Sequence, residues 1–199
     1  IAAISTAHSP GGIGIVRISG EKARQIADAV FKSKKGTVAR LLGYTALYGG
    51  VYDGEEKIDE AVALMFASPK SYTGEDVVEL SCHGGTAVMK RVLRAVMAAG
   101  ARQALPGEFT RRAFENGKVT LTEAEAVMAL VSAAGMQAER VASAAKGGAL
   151  YRRISNIKDE LTDITAWLAA WSDFPEEDIP DVEPEALAKR LGMVGENIK

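Results

Sequence analysis

The sequence is poor in the residues that build disulfide scaffolds and metal centres. It has one cysteine, Cys82, and two histidines, His8 and His83, among 199 residues. A single cysteine excludes a disulfide framework and a zinc site of four thiolates, and it is typical of a protein in a reducing cytoplasm. Two histidines leave little room for a metal cluster. We therefore expect a cytoplasmic protein with no metal ligands in this chain.

Long apolar runs are also missing. No stretch approaches the roughly 18 apolar residues of a membrane-spanning helix, and the beginning has no signal-peptide pattern. We therefore expect no membrane association. The sequence begins at Ile1 without methionine and ends at Lys199 in a helical pattern, so we expect it to be part of a longer chain.

Net charge is small but unevenly distributed. The 24 basic and 26 acidic residues give −2, which excludes a chain that wraps nucleic acid through its overall charge. Segment 90–118 has seven basic residues against two acidic ones, whereas segment 159–185 has ten acidic residues and no basic one. Both patterns are typical of solvated faces. The alternative for segment 90–118 is a basic patch that receives an anionic ligand or RNA phosphates.

The first part of the chain alternates short strand and helix signals. A mixed order with an interleaved hairpin favours an α+β domain over a doubly wound sheet. The predicted strands are 1–5, 13–19, 45–52, 58–66, 77–82 and 102–105, and the predicted helices are 21–32 and 86–99. Asp53-Gly54 is a favoured turn dipeptide between the two central strands.

From Leu121 onward the pattern is helical. Thr122 with Glu125 has the form of a capping box, which predicts the start of an alanine-rich helix. The predicted helix 149–172 has an apolar stripe that it cannot bury alone, so it needs a partner helix from missing chain or from another subunit. A final helix begins near Pro184. These signals predict an all-α partial helical bundle over 119–199, after an α+β domain over 1–118.

Two predicted strands carry charged residues among branched apolar ones. If Val16 and Ile18 face the core, Arg17 lies on the opposite face of its strand. By the same alternation Glu79 shares a face with Ser81 and His83. A sheet with one solvated face explains the pattern, and the alternative is a polar floor for a ligand, because charges among apolar neighbours need partners.

Other chemically active residues give weaker signals. Cys82 lies on the apolar face of its strand, which favours a core residue over a nucleophile. His83 is interpreted as a structural histidine in a turn, with a general base as the alternative. The glycines of segment 11–14 lack the Gly-Lys-Ser/Thr ending of a nucleotide-binding loop. We predict no catalytic residue in this chain.

Several ordered motifs together resemble a known family. They are GGIGIVRISG (11–20), SYTGED (71–76), CHGG (82–85), PGEFTRRAF (106–114), LTEAEA (121–126) and DFPEE (173–177). At this order and spacing the sequence resembles the amino-terminal region of the MnmE family, also called TrmE, of tRNA-modification GTPases. The resemblance spans nearly the whole chain.

The resemblance implies a fold and a function. The first domain would be similar to the tetrahydrofolate-binding domain of the glycine-cleavage aminomethyltransferase, would form a homodimer and would bind 5-formyl-tetrahydrofolate or a related one-carbon form. A helical domain would follow, interrupted by an inserted GTPase domain that uses GTP, Mg²⁺ and K⁺. With the flavoprotein MnmG, the family modifies C5 of the wobble uridine of certain tRNAs with a carboxymethylaminomethyl or aminomethyl group.

The family's folate-contacting residues correspond to Arg17, Glu79 and Lys118 in this sequence. A carboxylate can accept two hydrogen bonds from the aminopyrimidine edge of a pterin, and cations suit the glutamate tail. The sequence departs from the family at segment 6–12, where the usual basic residue of the loop is missing. It also contains no GTPase motif and no Cys-x-Gly-Lys ending. We therefore expect this chain to supply folate binding and dimerisation, not GTP hydrolysis.

Two other functions remain open at this point. One is a stand-alone folate-dependent enzyme similar to the aminomethyltransferase, which the missing nucleotide loop favours and the helical second part opposes. The other is a non-catalytic interaction module that uses the acidic segment 159–185.

Overall fold

The computed structural model describes residues 1–7, 9, 11–132, 148–173 and 183–198. The chain divides into two units, Ile1–Val119 and Thr120–Lys199. His8, most of the DFPEE motif and the middle of the acidic segment 159–185 lie outside the described residues.

A six-stranded sheet forms the centre of the first unit. Its strand order is β1-β2-β6-β5-β4-β3, and all neighbouring strands are antiparallel. The strands are β1 (Ala2–Ile4), β2 (Gly11–Ser19), β3 (Phe31–Lys32), β4 (Thr45–Asp53), β5 (Glu56–Phe66) and β6 (Val77–Gly84). Alternating side chains make one face apolar, so that helices can cover it.

Two helices cover the apolar face of the sheet. They are α1 (Ala23–Val30) and α2 (Thr86–Ala98), and their buried residues join those of the strands in one core. Val16, Ile18, Val78 and Leu80 are fully buried in that core. The predicted α+β organisation of this region is confirmed, and the helices leave the Arg17–Glu79 side of the sheet free for other contacts.

The predicted strand 102–105 is wrong. Only Gln103 forms a bridge, parallel to Ala2. The segment cannot extend the sheet further because the backbone N–H of Leu105 donates to the Glu108 carboxylate at 2.8 Å instead of to a strand. Glu108 begins helix α3 (Glu108–Glu115), which follows Gly107 in a left-handed conformation with φ 73°.

The second unit is helical throughout its described secondary structure. It contains α4 (Leu121–Ser132), α5 (Ala149–Asp173) and α6 (Pro184–Ile198). Arg190 of α6 donates to the Glu160 carboxylate of α5 from Nε at 2.9 Å and from a terminal nitrogen at 2.7 Å. Ile164 and Val194 are buried. No helix in the described ranges is both long and apolar enough to cross a membrane.

The capping box of α4 lies two residues before the predicted one. The Thr120 backbone N–H donates to Glu123 Oε2 at 2.7 Å, and the Glu123 N–H donates to Thr120 Oγ1 at 3.3 Å. This reciprocal pair is the capping-box arrangement. The prediction of Thr122 with Glu125 is therefore wrong in register, and the helix begins two residues earlier than that pair implies, at Leu121.

Candidate ligand-binding site

The sheet register places the two anomalous charges directly opposite each other. Arg17 of β2 and Glu79 of β6 are paired residues across the antiparallel ladder. The Arg17 Nε donates to Glu79 Oε1 at 2.8 Å, and a terminal guanidinium nitrogen lies 2.7 Å from the same oxygen. Glu79 Oε2 makes no hydrogen bond within the described part of the chain. The ion pair therefore leaves one carboxylate oxygen available to a ligand.

Both charges are partly shielded from water. The side chain of Arg17 is 29% exposed and that of Glu79 is 15% exposed. The Phe109 ring of α3 lies against the Arg17 guanidinium, with 5.6 Å between the guanidinium carbon and the ring centroid, a cation–π contact. A carboxylate, a guanidinium and an aromatic ring thus converge on the sheet face that the core helices leave free, which we call the open face; besides Arg17 and Glu79 it bears Ile15, Tyr48, Glu60, Val62, Leu64, Ser81 and His83.

A buried carboxylate anchors the helix that supplies this ring. Glu108 is 2% exposed and accepts hydrogen bonds from the guanidinium of Arg102 and from that of Arg112. The Arg102 hydrogen bonds, followed by the bond from the Leu105 N–H, lower the pKa of Glu108 to about 2. Glu108 is therefore ionised at neutral pH and fixes the start of α3.

The segment before β6 is tied to the same helix. Arg112 donates from one terminal nitrogen to both oxygens of Glu75, at 2.9 and 3.1 Å. Glu75 also accepts from the Ser19 hydroxyl at 2.7 Å, and that hydroxyl lies 2.7 Å from Thr73 Oγ1. The Asn116 amide donates to the Thr73 carbonyl at 2.7 Å. These bonds join β2, the SYTGED segment and α3 around the Arg17–Glu79 pair.

Lys118 follows α3 and contacts the loop before β6, and it does not bond to the Arg17–Glu79 pair. Its Nζ donates to the Pro69 carbonyl at 2.9 Å. Its side-chain stem is so near Gly74 that a Cβ there would come within 3.2 Å of Lys118 Cγ. Among the described residues it forms no ion pair with Glu79. Of the three predicted site residues, the structure brings Arg17 and Glu79 together, and Lys118 reaches the loop before β6.

His83 is oriented by a carboxylate on the neighbouring strand. Its Nδ1 lies 2.8 Å from Asp59 Oδ1, and its backbone N–H donates to Asp59 Oδ2 at 2.8 Å. Partial burial opposes ionisation of Asp59, but the hydrogen bonds from the ring and backbone of His83 outweigh it and lower the pKa of Asp59. The His83 side chain is 74% exposed. His83 thus lies within β6 and not in the predicted turn, and Asp59 fixes the orientation of its ring.

Cys82 is a core residue, as the alternation predicts. It is 5% exposed, and burial raises the pKa of its thiol to about 12. Such a thiol is not a nucleophile at neutral pH. No group of three or more potential metal ligands occurs in the residues that the structure describes.

The basic segment 90–118 is largely neutralised by internal ion pairs. Four of its arginines have carboxylate partners, namely Arg91 with Glu56, Arg102 with Glu108, Arg111 with Glu115 and Arg112 with Glu75. Local charge counting missed these pairs because two of the carboxylates come from outside the segment. The segment is mainly a structural network and a weaker candidate for an anion-binding patch than its composition indicates.

Comparison with known proteins assigns both parts of the chain to one family. Residues 1–118 match the family model described as the GTP-binding protein TrmE N-terminus, and residues 121–199 match that of the MnmE helical domain. The chain is 46% identical to the tRNA modification GTPase MnmE of Alkaliphilus metalliredigens, over 100% of this chain and 44% of that protein.

Other relatives give the same result. The chain is 50% identical to the MnmE of Symbiobacterium thermophilum, over 88% of this chain and 39% of that protein. It is 46% identical to the MnmE of Thermus thermophilus, over 96% and 44% respectively. The chain thus spans less than half the length of the curated relatives that it matches.

Proposed function

Because this chain belongs to the TrmE family, also named MnmE, we propose that it works as part of a cytoplasmic tRNA-modification GTPase. Its own share is to bind a one-carbon tetrahydrofolate, such as the 5-formyl form, and to form a homodimer. The GTPase domain of the whole protein binds GTP with Mg²⁺ and K⁺. With the flavoprotein MnmG, the whole protein modifies C5 of the wobble uridine in tRNA. The names of the relatives support the tRNA-modification GTPase, and the resemblance supports the finer assignments.

The observation that carries the folate proposal is that only one oxygen of the Glu79 carboxylate has a hydrogen-bond partner in the described chain. Oε1 is held by Arg17, and Oε2 is free of hydrogen bonds in the described chain. The aminopyrimidine edge of a pterin presents neighbouring N–H donors that a fixed, partly shielded carboxylate can accept. The site therefore fits this ligand, because the N–H groups of the pterin edge can donate to the Glu79 oxygen that has no partner.

Arg17 and Phe109 give the site its shape and charge. Arg17 holds the Glu79 carboxylate in one orientation, which reduces the side-chain entropy that the site loses when a ligand binds. Phe109 supplies an apolar surface beside the guanidinium, which suits a flat heterocycle. We include Lys118 in the proposed site as a hydrogen-bond donor that can leave the Pro69 carbonyl for a carbonyl oxygen of the ligand.

The chain's own residues bind and orient the ligand in this proposal. When bound, the tetrahydrofolate supplies the one-carbon unit of the modification. Glu79 fixes the pterin edge, and the network of Glu75, Glu108 and Arg112 keeps α3 and its phenylalanine in place. No residue of this chain is assigned a proton-transfer or nucleophilic role.

Calorimetric titration of 5-formyl-tetrahydrofolate tests the proposal. Glu79→Gln retains the shape of the side chain but removes the charge that the donors of the pterin edge require. Loss of a hydrogen bond to a charged group predicts that Kd rises about 10- to 100-fold. Glu115→Gln is the control, since Glu115 is an exposed glutamate paired with Arg111 on α3 and should leave Kd unchanged. Equal affinity of wild type and Glu79→Gln would contradict the proposed site, and absence of binding to the wild type would contradict the folate assignment.

A further inference from the structure

A group of lysines surrounds a depression at the β3 edge of the sheet. Lys32 is the last residue of β3, Lys34 and Lys35 lie in the turn that follows, and Lys57 is on β5. Tyr48 and Tyr52 line the same depression. Lys34 and Lys35 form no ion pair with any described residue. The Lys32 ammonium lies 4.8 Å from the centroid of the Tyr52 ring. In this group, which we call the lysine edge, Lys57 alone has a carboxylate partner among the described residues.

One carboxylate lies among these cations. Glu60 accepts a hydrogen bond from Lys57 Nζ at 3.2 Å and another from the Tyr48 hydroxyl. The hydrogen bond from Tyr48 lowers the pKa of Glu60 most, and the hydrogen bond and charge of Lys57 lower it further. Glu60 therefore offsets one of the four lysine charges, and the lysine edge keeps a net positive charge.

The lysine edge lies on the same sheet face as the Arg17–Glu79 pair. Lys32 is opposite Gly50, and Gly50 is opposite Glu60, which belongs to the open face. Because paired residues of neighbouring antiparallel strands point to the same side, the Lys32 side chain also starts from the open face. The lysine edge and the Arg17–Glu79 pair therefore lie on one face of the sheet, where a single ligand can contact both.

Surface continuity between the two places follows from the register. Glu79 is opposite Leu64 of β5; one row further, Ser81 is opposite Val62, which is opposite Tyr48. Val62 is 40% exposed and Tyr48 is 60% exposed. Tyr48 and Glu60 also line both the depression beside Ser81 and the one at the lysine edge. An apolar strip therefore leads from the pair to the lysines.

The span matches the size of an elongated ligand. From the row of Glu79 to the row of Lys32 there are three strand spacings across the sheet and four residues along β5, which amounts to about 20 Å. A folate is of similar length from its pterin to its glutamate. With the pterin at Glu79, the aminobenzoyl ring crosses Val62 and Tyr48, and the glutamate arrives at the lysines.

We propose that Lys32, Lys34, Lys35 and Lys57 form a subsite for the poly-γ-glutamate tail of the folate. This inference rests on the proposed function, because it takes the pterin at Glu79 as its starting point. Each γ-linked glutamate adds a carboxylate, and flexible ammonium groups can pair with such a tail without requiring one fixed geometry. The subsite makes the chain selective for polyglutamylated over monoglutamylated tetrahydrofolate.

Titration with two ligands tests the subsite. The ligands are the monoglutamyl and pentaglutamyl forms of 5-formyl-tetrahydrofolate, and the readout is Kd by calorimetry. Two or three exposed lysine–carboxylate contacts predict about tenfold tighter binding of the pentaglutamyl form to the wild type. That advantage should decrease as the salt concentration rises, because the contacts are exposed.

Matched variants separate the lysine edge from general charge. Lys34→Gln with Lys35→Gln should remove most of the advantage of the pentaglutamyl form. It should weaken monoglutamyl binding much less, because that ligand brings only its first glutamate to the lysine edge. Lys22→Gln with Lys90→Gln removes the same charge from exposed positions on the helical side, before α1 and on α2, and should retain the advantage. Circular dichroism of both variants checks that they are folded.

The outcomes distinguish this inference from the function on which it rests. If both ligands bind the wild type equally, the subsite is wrong while the folate site stands. If neither ligand binds, the proposed function is wrong and the subsite falls with it. If the Lys34 and Lys35 variant weakens tRNA binding in a filter assay but leaves the Kd of both folates unchanged, the lysine edge is an RNA contact and the inference is overturned.

Discussion

At the scale of single residues, Glu108 is the one charged side chain that is buried in the described part of the chain. An unpaired charge in that position would be strongly destabilising, and two guanidinium groups and a backbone N–H remove that cost. Its position at the first turn of α3 also suits the helix dipole. Glu108 thereby links the stability of the fold to the placement of Phe109.

The lowered pKa of Glu108 predicts an acid-dependent loss of stability. The carboxyl has a reference pKa of 4.5 and a pKa of about 2 in the folded chain. Its stabilising contribution is therefore fully present above about pH 4.5 and is lost as the pH falls towards about 2. Glu108→Gln cannot ionise, so it should be less stable than wild type by about 2 kcal/mol at neutral pH.

Urea denaturation at several pH values measures this effect. The difference in unfolding free energy between wild type and Glu108→Gln should shrink below about pH 4.5, because the wild-type carboxyl then loses its charge too. Glu115→Gln, at an exposed glutamate on the same helix, should change the unfolding free energy little at any pH. A Glu108→Gln difference that stays constant between about pH 7 and about pH 3 would refute the role of ionisation.

The orientations of the site residues could be predicted from sequence, and their contacts could not. Strand alternation predicts that Arg17 and Glu79 leave the core face, and the burial of their neighbours confirms this. Their pairing depends on the register between β2 and β6, which are separated by 57 residues of other structure. The contact of Arg17 with Phe109 depends on how α3 packs against the sheet, and a local sequence pattern does not predict that packing.

At the scale of secondary-structure elements, the two threonine–glutamate pairs at the start of α4 show why local motifs are ambiguous. Thr120 with Glu123 and Thr122 with Glu125 have the same spacing, so the sequence cannot choose between them by the motif alone. The structure uses the earlier pair, since Thr120 Oγ1 also donates to Glu123 Oε2 at 2.8 Å. The first helical residue therefore lies at Leu121.

The observed register predicts unequal effects of two similar substitutions. Glu123→Ala removes the acceptor for the Thr120 N–H and hydroxyl, and should lower the unfolding free energy by about 1 kcal/mol. Glu125→Ala, two residues further on, lacks this cap and is the matched control. Hydrogen exchange of the amides in the first turn of α4 should accelerate in the Glu123 variant alone. Equal acceleration in both variants would contradict the observed cap.

Short edge elements were the least predictable part of the first unit. Strand β3 has two residues and follows α1 directly, so it gives no alternating pattern to detect. Segment 102–105 shows the converse, because its composition resembles a strand while its last N–H is taken by Glu108. Strand β3 forms by pairing with β4, which is distant in sequence. For segment 102–105 the deciding partner is only three residues away, but a strand-like composition does not show that Glu108 accepts this bond.

At the scale of the whole chain, an α+β unit is followed by a helical unit with exposed apolar residues. Ile154 and Leu161 of α5 are 50% and 40% exposed, in keeping with the predicted stripe that the helix cannot bury alone. The chain spans less than half the length of the relatives that it matches. The fold class could be predicted from pattern alone, whereas the function required the motif set.

The central claim is that the pterin of a tetrahydrofolate lies on the open face beside the Arg17–Glu79 pair. Nuclear magnetic resonance of the isotope-labelled chain, titrated with monoglutamyl 5-formyl-tetrahydrofolate, tests this directly. We predict that the amide signals around Arg17 on β2, Glu79 on β6 and Phe109 on α3 shift most. In Glu79→Gln the same shifts should require about 10- to 100-fold more ligand. Saturable shifts confined to the helical side of the sheet or to the second unit, or no shifts at all, would contradict the account.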